Sequence, residues 1–454
     1  MATPETIRLF DPLFTTDAMR QVFSDRRQLQ YMLDVEAALA RALAAAGIAP
    51  RSAIAAIESK CSAELFSLES LARSAAQSGN LAVSLVKALT ELVAAGDSSA
   101  ASFVHYGATS QDVIDTALVL QLRDALELLR RDLLHIDASL ARIAAAHKST
   151  LVAGRTWLQQ GPPVTFGLKA AGWLAALERH RDRLEHARKQ VLVLQFGGAV
   201  GTMAALGARG PEVAAALARE LKLEIPELPW HSHRDRLAEV AASLGLLVGS
   251  LGKIARDLSL MSQTEIDEVV EPSAPGRGGS STMPHKRNPV SSAVILAAAL
   301  RLPALVATML VSLVQEHERG LGGWHAEWET LPEIFRLTAG ALAHMKQVVE
   351  GLEIHPERML ENLNRTHGLV LAEAVAFALR ERMGKEKSHK IVEEAARRAV
   401  LDGSDFADVL LSYAEVTDHL SRAELLRLLD PANYLGSAVE MTERFLSARN
   451  GIKK

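Results

Sequence analysis

Proline is missing from residues 51–161, 164–210 and 230–271 of this 454-residue chain. A run without proline keeps every backbone N–H available for helical hydrogen bonds, so these gaps leave room for unusually long helices. Within the first gap, Val113, Ala117, Leu120, Leu126, Leu129, Leu133, Ile136, Leu140 and Ile143 recur mostly at three- and four-residue steps, which is helical spacing. At about 1.5 Å per residue, a helix from Asp112 to His147 would run about 50 Å. Leu122, Leu128 and Leu134 widen the apolar stripe until little of the circumference is polar, the pattern of a helix buried in a large assembly. Similar patterns run from Pro163 to Leu194, Arg234 to Thr264, Val290 to Gln315 and Pro332 to Leu352. The expected fold is all-α, with three helical domains: an N-terminal domain (1–104), a central bundle of about five long helices (105–350) and a C-terminal domain (351–454) after the His355-Pro356 break. Composition agrees, because Ala and Leu dominate the apolar residues and aromatics are only 4%. Apolar surfaces this broad are not tolerated on a monomer, so bundles from several subunits are expected to pack together.

Several function classes drop out. A formal net charge of −4 offers no basic face for nucleic acid. The single cysteine, Cys61, fits a reducing compartment and a small core residue. The first ten residues lack a basic flank followed by an apolar run, so no signal peptide is expected. The most apolar stretch, Val294 to Val314, is interrupted by Arg301 and Pro303 and is expected to be a core helix rather than a membrane span. The expectation is a soluble, cytoplasmic protein without a membrane partner.

Three loop segments stand out from the helical background. The first is His105-Tyr106-Gly107-Ala108-Thr109-Ser110-Gln111-Asp112, leading into the longest helix. The second is Gly154-Arg155-Thr156-Trp157-Leu158-Gln159-Gln160. The third runs from Gly276 through Gly279-Ser280-Ser281-Thr282-Met283-Pro284-His285-Lys286-Arg287-Asn288-Pro289. In the third, glycines allow close backbone approach to a ligand, while the serines, Lys286 and Asn288 supply hydroxyls, a cation and an amide within short reach. That composition suits a cradle for an anion and also suits an ordinary mobile surface loop. No Gly-Lys-Ser/Thr ends it, so it is not a nucleotide-phosphate loop.

Gly279 to Pro289 resembles the G-S-S-x-M-P-x-K-x-N-P signature of the fumarase/aspartase superfamily at every specified position. The other two segments resemble that family's remaining active-site regions, in the family's order, and the similarity spans essentially the whole chain. The resemblance implies a homotetramer with a central twenty-helix core, in which three subunits share each active site. It implies Ser280 as catalytic base and His105 as a residue that orients substrate or shuttles a proton. A helix-start histidine bonded to backbone is an equally good description of His105. Thr109, Ser110, Lys286 and Asn288 would hold substrate carboxylates, with Arg155, Thr156, Trp157, Gln159, Ser281 and Met283 also lining the site. The chemistry implied is proton abstraction next to a carboxylate, giving a doubly charged intermediate that expels a β-leaving group, with no metal and no cofactor. Backbone amides and Lys286 are placed to stabilise such charge.

Two positions depart from the common family pattern. Relatives such as fumarases and adenylosuccinate lyases carry Thr-His in the second segment, where the histidine helps protonate the leaving group. Here Trp157 follows Thr156, and an indole carries no proton in turnover. The position matching that histidine's carboxylate partner is Ala293. A departing amine or hydroxide needs a proton, whereas a departing carboxylate does not. The expected reaction is therefore elimination of a carboxylate or its reverse, which within one molecule closes a lactone. The chain resembles in this respect the bacterial 3-carboxy-cis,cis-muconate cycloisomerase branch. Ser273 to Gly276, Trp324 to Pro332 and Asp430 to Gly436 are similar to that branch too, although Gln160 stands where relatives carry histidine. A tricarboxylate substrate would call on Arg155, His285, Lys286 and Arg287, with Arg319 and Arg365 as weaker candidates. Pairing with neighbouring carboxylates is the commoner fate of such arginines.

Other constellations are set aside. His231 and His233 diverge on a helix start and lack a third ligand at metal spacing. His317-Glu318 and His325 do not make an H-E-x-x-H pair. Gly197-Gly198-Ala199-Val200-Gly201 fails the dinucleotide spacing at Phe196 and is expected to be a helix break beside the site. The rival functions are another lyase of the superfamily, adenylosuccinate lyase above all, and a non-catalytic protein on the same scaffold.

Overall fold

The computed structural model describes residues 8–273, 278–279, 283 and 285–452. The fold is all-α, as the periodicity requires, with two small β pairs added. The helices that matter for function are α1 (Asp25–Ala45), α2 (Ser110–Ala146), α3 (Phe166–Val191), α4 (Asp235–Met261), α5 (Val290–Val311), α6 (Gly323–Gly351) and α7 (Pro356–Asn364). Five of these, α2 to α6, are the predicted long helices, with one clear shift. α6 begins nine residues before Pro332 and runs through it. Pro332 removes one N–H from the ladder, but the apolar face on both sides is buried: Trp324, Leu331, Ile334 and Phe335 are at most 3% exposed. Burial of that face outweighs the loss of one backbone bond.

The second motif is a further difference. Instead of a loop it forms an antiparallel hairpin, β1 (Leu151–Thr156) and β2 (Gln159–Thr165), with a register irregularity between Ala153 and Arg155. Pro162 and Pro163 sit in β2 of this isolated two-stranded sheet, where an absent N–H donor is tolerated. A second, two-residue pair joins β3 (Val269–Val270) to β4 (Glu353–Ile354).

The chain divides into two compact units, residues 1–133, 179–252 and 294–344 in one and 134–178, 253–293 and 345–454 in the other. Every boundary between them falls inside one of the five long helices. In the first unit α4 and α5 approach closely because glycines on α4 face α5. A Cβ on Gly245 would lie 3.0 Å from Val306 Cγ2, and one on Gly252 would lie 2.8 Å from Ala299 Cβ. In the second unit the C-terminal helices enclose a small core of Val375, Leu379, Phe406, Leu410, Val416 and Leu425.

By length and composition α4 and α5 are both long and apolar enough to cross a bilayer. The most apolar stretch of α4 is 61% buried inside the chain, that of α5 only 28%. Among the exposed positions of α5, Ala293, Leu300, Ala304, Ala307 and Val311 fall on a heptad stripe, with half-buried Ala297 on it and Val314 continuing it, while Arg301, Pro303, Thr308 and Leu310 are exposed beside it.

Because Gly252 has no room for a side chain, Gly252→Leu is expected to cost about 1–3 kcal/mol through overpacking. A lower midpoint in thermal and denaturant unfolding checks this, with Gly252→Ala falling between the two.

Candidate active site

The first motif is held by one buried carboxylate. Asp112, in the first turn of α2, accepts the Thr109 N–H (2.9 Å) and the Gly197 and Gly198 N–H groups (3.0 and 2.9 Å). His231 Nε2 lies 2.7 Å from its Oδ1. The glycine run is thus an irregular turn fastened to the first motif, and His231 supports it rather than facing a ligand. Glycine is required at 198, where φ is +71° and an added Cβ would sit 3.1 Å from the Gly107 carbonyl oxygen.

One helical turn further on, Asp115 accepts two bonds from Arg234, at 2.6 and 3.0 Å. Arg234 also meets Glu327 of α6 and stacks 4.9 Å over the Trp230 ring. Trp324 Nε1 donates to Asp115 at 3.0 Å. Burial opposes the charge on Arg234, but Asp115 and Glu327 hold its pKa well above the ordinary guanidinium value. Burial likewise raises the pKa of Glu327 despite the neighbouring Arg234.

Around this frame the candidate groups take their places. Ser110 opens α2 and is half-buried. Thr109 Oγ1 accepts from Arg319 (3.1 Å), whose other nitrogen donates to the Ala199 carbonyl (2.8 Å). Both acceptors are neutral. His105 has a left-handed backbone (φ +57°), and its Nδ1 lies 2.6 Å from Glu36 of α1. Its imidazole pKa is lowered by burial and raised by the Glu36 charge and hydrogen bond, with the net shift upward. The N-terminus of a 37-residue helix adds its own preference for an anion.

The second and third motifs belong to the other unit and share one anchor, the β3–β4 pair. Arg155 makes a two-pronged ion pair with Glu268, at 2.9 and 2.6 Å, immediately before β3. Glu268 is fully buried and also accepts from Asn362 of α7 (3.1 Å). Gln160 Nε2 donates to the Asn362 carbonyl at 2.8 Å, so Gln160 fastens the hairpin to α7. From β4, Glu353 grips Arg287 at 2.7 and 2.6 Å. Glu271, just after β3, caps the start of α5 by accepting the Ser291 and Ser292 N–H groups (2.9 and 2.8 Å). Arg155 and Arg287 are therefore neutralised within the chain.

Beyond these anchors the candidates face outward. Thr156, Trp157 and Gln159 are exposed at the hairpin tip, and Trp157 is 97% exposed. Trp157 and Leu158 both have left-handed backbones, the geometry of a tight two-residue hairpin turn without its usual glycine or asparagine. His285, Lys286 and Met283 are exposed, and Asn288 is half-buried with its N–H bonded to the Gly278 carbonyl (2.9 Å). Ser280 and Ser281 lie outside the described residues, as do Ala274 to Arg277, Thr282 and Pro284.

A family profile described as "Lyase" matches residues 13–303, and one described as "Adenylosuccinate lyase C-terminus" matches residues 368–445. The chain is a member of the fumarase/aspartase superfamily. Within it, the chain is 57% identical over 445 residues to a 3-carboxy-cis,cis-muconate cycloisomerase of Pseudomonas aeruginosa, covering 98% of this chain and 97% of that protein. Identity to the enzyme of the same name from Bradyrhizobium diazoefficiens is 51% over 440 residues, 97% and 98% of the two chains. The crystal structure of 3-carboxy-cis,cis-muconate lactonizing enzyme from Pseudomonas putida matches with a TM-score of 0.94 at 52% identity. That match covers 99% of this chain and all of the other.

Of the carboxylates that hold these segments, Asp112 and Glu327 lie inside segments that the sequence singles out, without a role, and Glu36, Asp115, Glu268 and Glu271 are not singled out. One signal was present, since Glu36 is a lone carboxylate inside the apolar run Val35 to Leu39. Asp112→Ala is expected to cost about 3 kcal/mol or more, because three backbone donors and His231 lose their acceptor together. Denaturant unfolding measures this, and Asp112→Asn should recover only part of the loss.

Proposed function

We propose that the chain interconverts 3-carboxy-cis,cis-muconate and its γ-lactone, 4-carboxymuconolactone, in protocatechuate degradation, as a cofactor-free intramolecular lyase. The observation that carries this reading is the hairpin tip. Trp157 occupies the position where a leaving-group acid would stand, and Ala293 replaces that acid's carboxylate partner. The named relatives point the same way.

In the ring-opening direction Ser280, as an alkoxide stabilised by loop amides, takes the proton next to a carboxylate and becomes a hydroxyl. The C–H electrons form the new double bond, the ring C–O bond breaks, and the ring oxygen departs as a carboxylate that needs no proton. In the lactonising direction the carboxylate adds and the same hydroxyl returns the proton to carbon. Thr109, Ser110, Lys286 and Asn288 hold the remaining carboxylates, and His105 orients the substrate or shuttles a proton. Ser281, Met283, Arg155, Thr156, Trp157 and Gln159 complete the lining. Since Arg155 and Arg287 are paired in the chain, the net cationic charge for a triacid falls to Lys286, Arg319 and His105.

The working form is a homotetramer with shared sites. The exposed heptad of α5, which includes Leu300 at 81% and Val311 at 75% exposure, needs partner helices. A strained, fully exposed tryptophan tip suits a group that completes a neighbour's site. On this reading residues 1–104, 105–350 and 351–454 are the N-terminal, core-forming and C-terminal parts of a soluble cytoplasmic enzyme. The C-terminal profile match to adenylosuccinate lyase keeps one rival in view, separable by its product, fumarate.

Purified protein is expected to bleach the diene absorbance of 3-carboxy-cis,cis-muconate without added metal or nucleotide; a flat trace with fumarate released from adenylosuccinate would select the rival. Ser280→Ala should lower turnover by about 10³-fold or more and leave the tetramer intact in light scattering. Leu300→Asp should instead reduce the particle size and abolish activity together.

A further inference from the structure

We infer that Glu36 is a positioning residue that fixes His105 as a standing cation and hydrogen-bond donor for a substrate carboxylate, rather than as a group that exchanges a proton in each turnover. The inference rests on the reading that places His105 in the site.

The geometry is specific. Glu36 projects from α1 and is 2% exposed, inside an otherwise apolar stretch. One of its oxygens accepts the His105 backbone N–H (3.1 Å), and the other lies 2.6 Å from His105 Nδ1. A single carboxylate thereby holds both the backbone and the ring of a residue 69 positions away. The backbone it holds is a left-handed one (φ +57°), which L residues other than glycine avoid. Without a fixed partner that conformation would relax and swing the ring.

Charge decides what the ring can do. A buried carboxylate is tolerated when a cation or several donors compensate it. Two carboxylates act on the imidazole, Glu36 from α1 and Asp112 from α2, and both favour its protonated form against the effect of burial. Asp112 is itself fully engaged by backbone donors and His231. With Nδ1–H directed at Glu36, a neutral ring would offer a lone pair at Nε2 and repel a carboxylate. The imidazolium offers Nε2–H instead. Nε2 makes no hydrogen bond among the described residues. A group held protonated in this way is a poor shuttle and a good anchor.

The test uses the full-length enzyme and propane-1,2,3-tricarboxylate, a non-reacting triacid, as a competitive inhibitor. His105 has a raised pKa, so its proton and its contribution to binding persist to a higher pH than for a free histidine and are lost as pH rises through that value. Inhibitor affinity in the unsubstituted enzyme should fall once along that range. Glu36→Gln should move the fall to lower pH. Near neutrality it should weaken both the inhibition constant and KM by about tenfold, the scale of a charge-assisted hydrogen bond, with little change in kcat. Glu36→Asp, which keeps the charge, should return the fall toward its original pH. His105→Asn should abolish the fall and report the triacid's own titration.

An unshifted fall in Glu36→Gln, or a loss confined to kcat, would overturn the inference. If Glu36→Gln does not fold, the unsubstituted enzyme still decides, since an affinity with no fall that His105→Asn removes also overturns it. Should His105→Asn change neither KM nor inhibition, the failure lies in placing His105 at the site. Weakened binding in His105→Asn without a Glu36 effect sinks the positioning role alone.

Discussion

A guanidinium with no access to solvent sits between two carboxylates, and the first motif depends on it. Arg234 joins Asp115 of α2 to Glu327 of α6, while Trp324 and Trp230 close around the charges. Ions taken out of water are tolerated only when every partner is in place, so the arrangement permits little slack. Asp112 lies one helical turn before Asp115 and repeats the device with backbone donors. The start of α2, and with it Thr109, Ser110 and Arg319, is therefore located by buried charge rather than by loop contacts. Apolar packing alone, being non-directional, would leave a helix end free to slide or turn by fractions of an ångström.

The second unit applies the same logic at β3 and β4. Four residues from Glu268 to Glu271 carry two carboxylates, one gripping Arg155 and the other capping α5, and Glu353 across the pair grips Arg287. The hairpin of the second motif and the C-terminal end of the third are thus both referenced to one short strand pair. This changes the charge available for a polyanionic substrate. Counting cations along the motifs credits Arg155 and Arg287 to the ligand, yet each already faces a carboxylate at ion-pair distance. Lys286 remains exposed, Arg319 donates to neutral acceptors among the described residues, and Glu36 favours the protonated form of His105.

Much of this was legible in the residues. Long proline-free runs with three- and four-residue apolar steps require long helices wherever the chain folds, because no other element brings those positions to one face. The superfamily was legible in the third motif, because its residues match the signature position by position. The hairpin was not legible. Gly161-Pro162-Pro163 carries the marks of a break, and β2 has no alternation of apolar and polar residues. Its strands persist because Arg155 and Gln160 are tied to Glu268 and Asn362, contacts made across more than 100 residues. The start of α6 was missed for a related reason, since the cost of Pro332 is local while the burial that overrides it is not.

The sequence by itself determined the helical class, the extent of most of the bundle helices and the superfamily. Those properties depend on local periodicity and on the identity of side chains, both of which are fixed before folding. Only the tertiary structure decided which charges remain for a ligand and which are spent on the frame. An arginine or histidine has the same charge and reach at any position in a chain; whether it is a framework tie or a free donor depends on which distant carboxylate folding brings to within about 3 Å, where pairing is strongest.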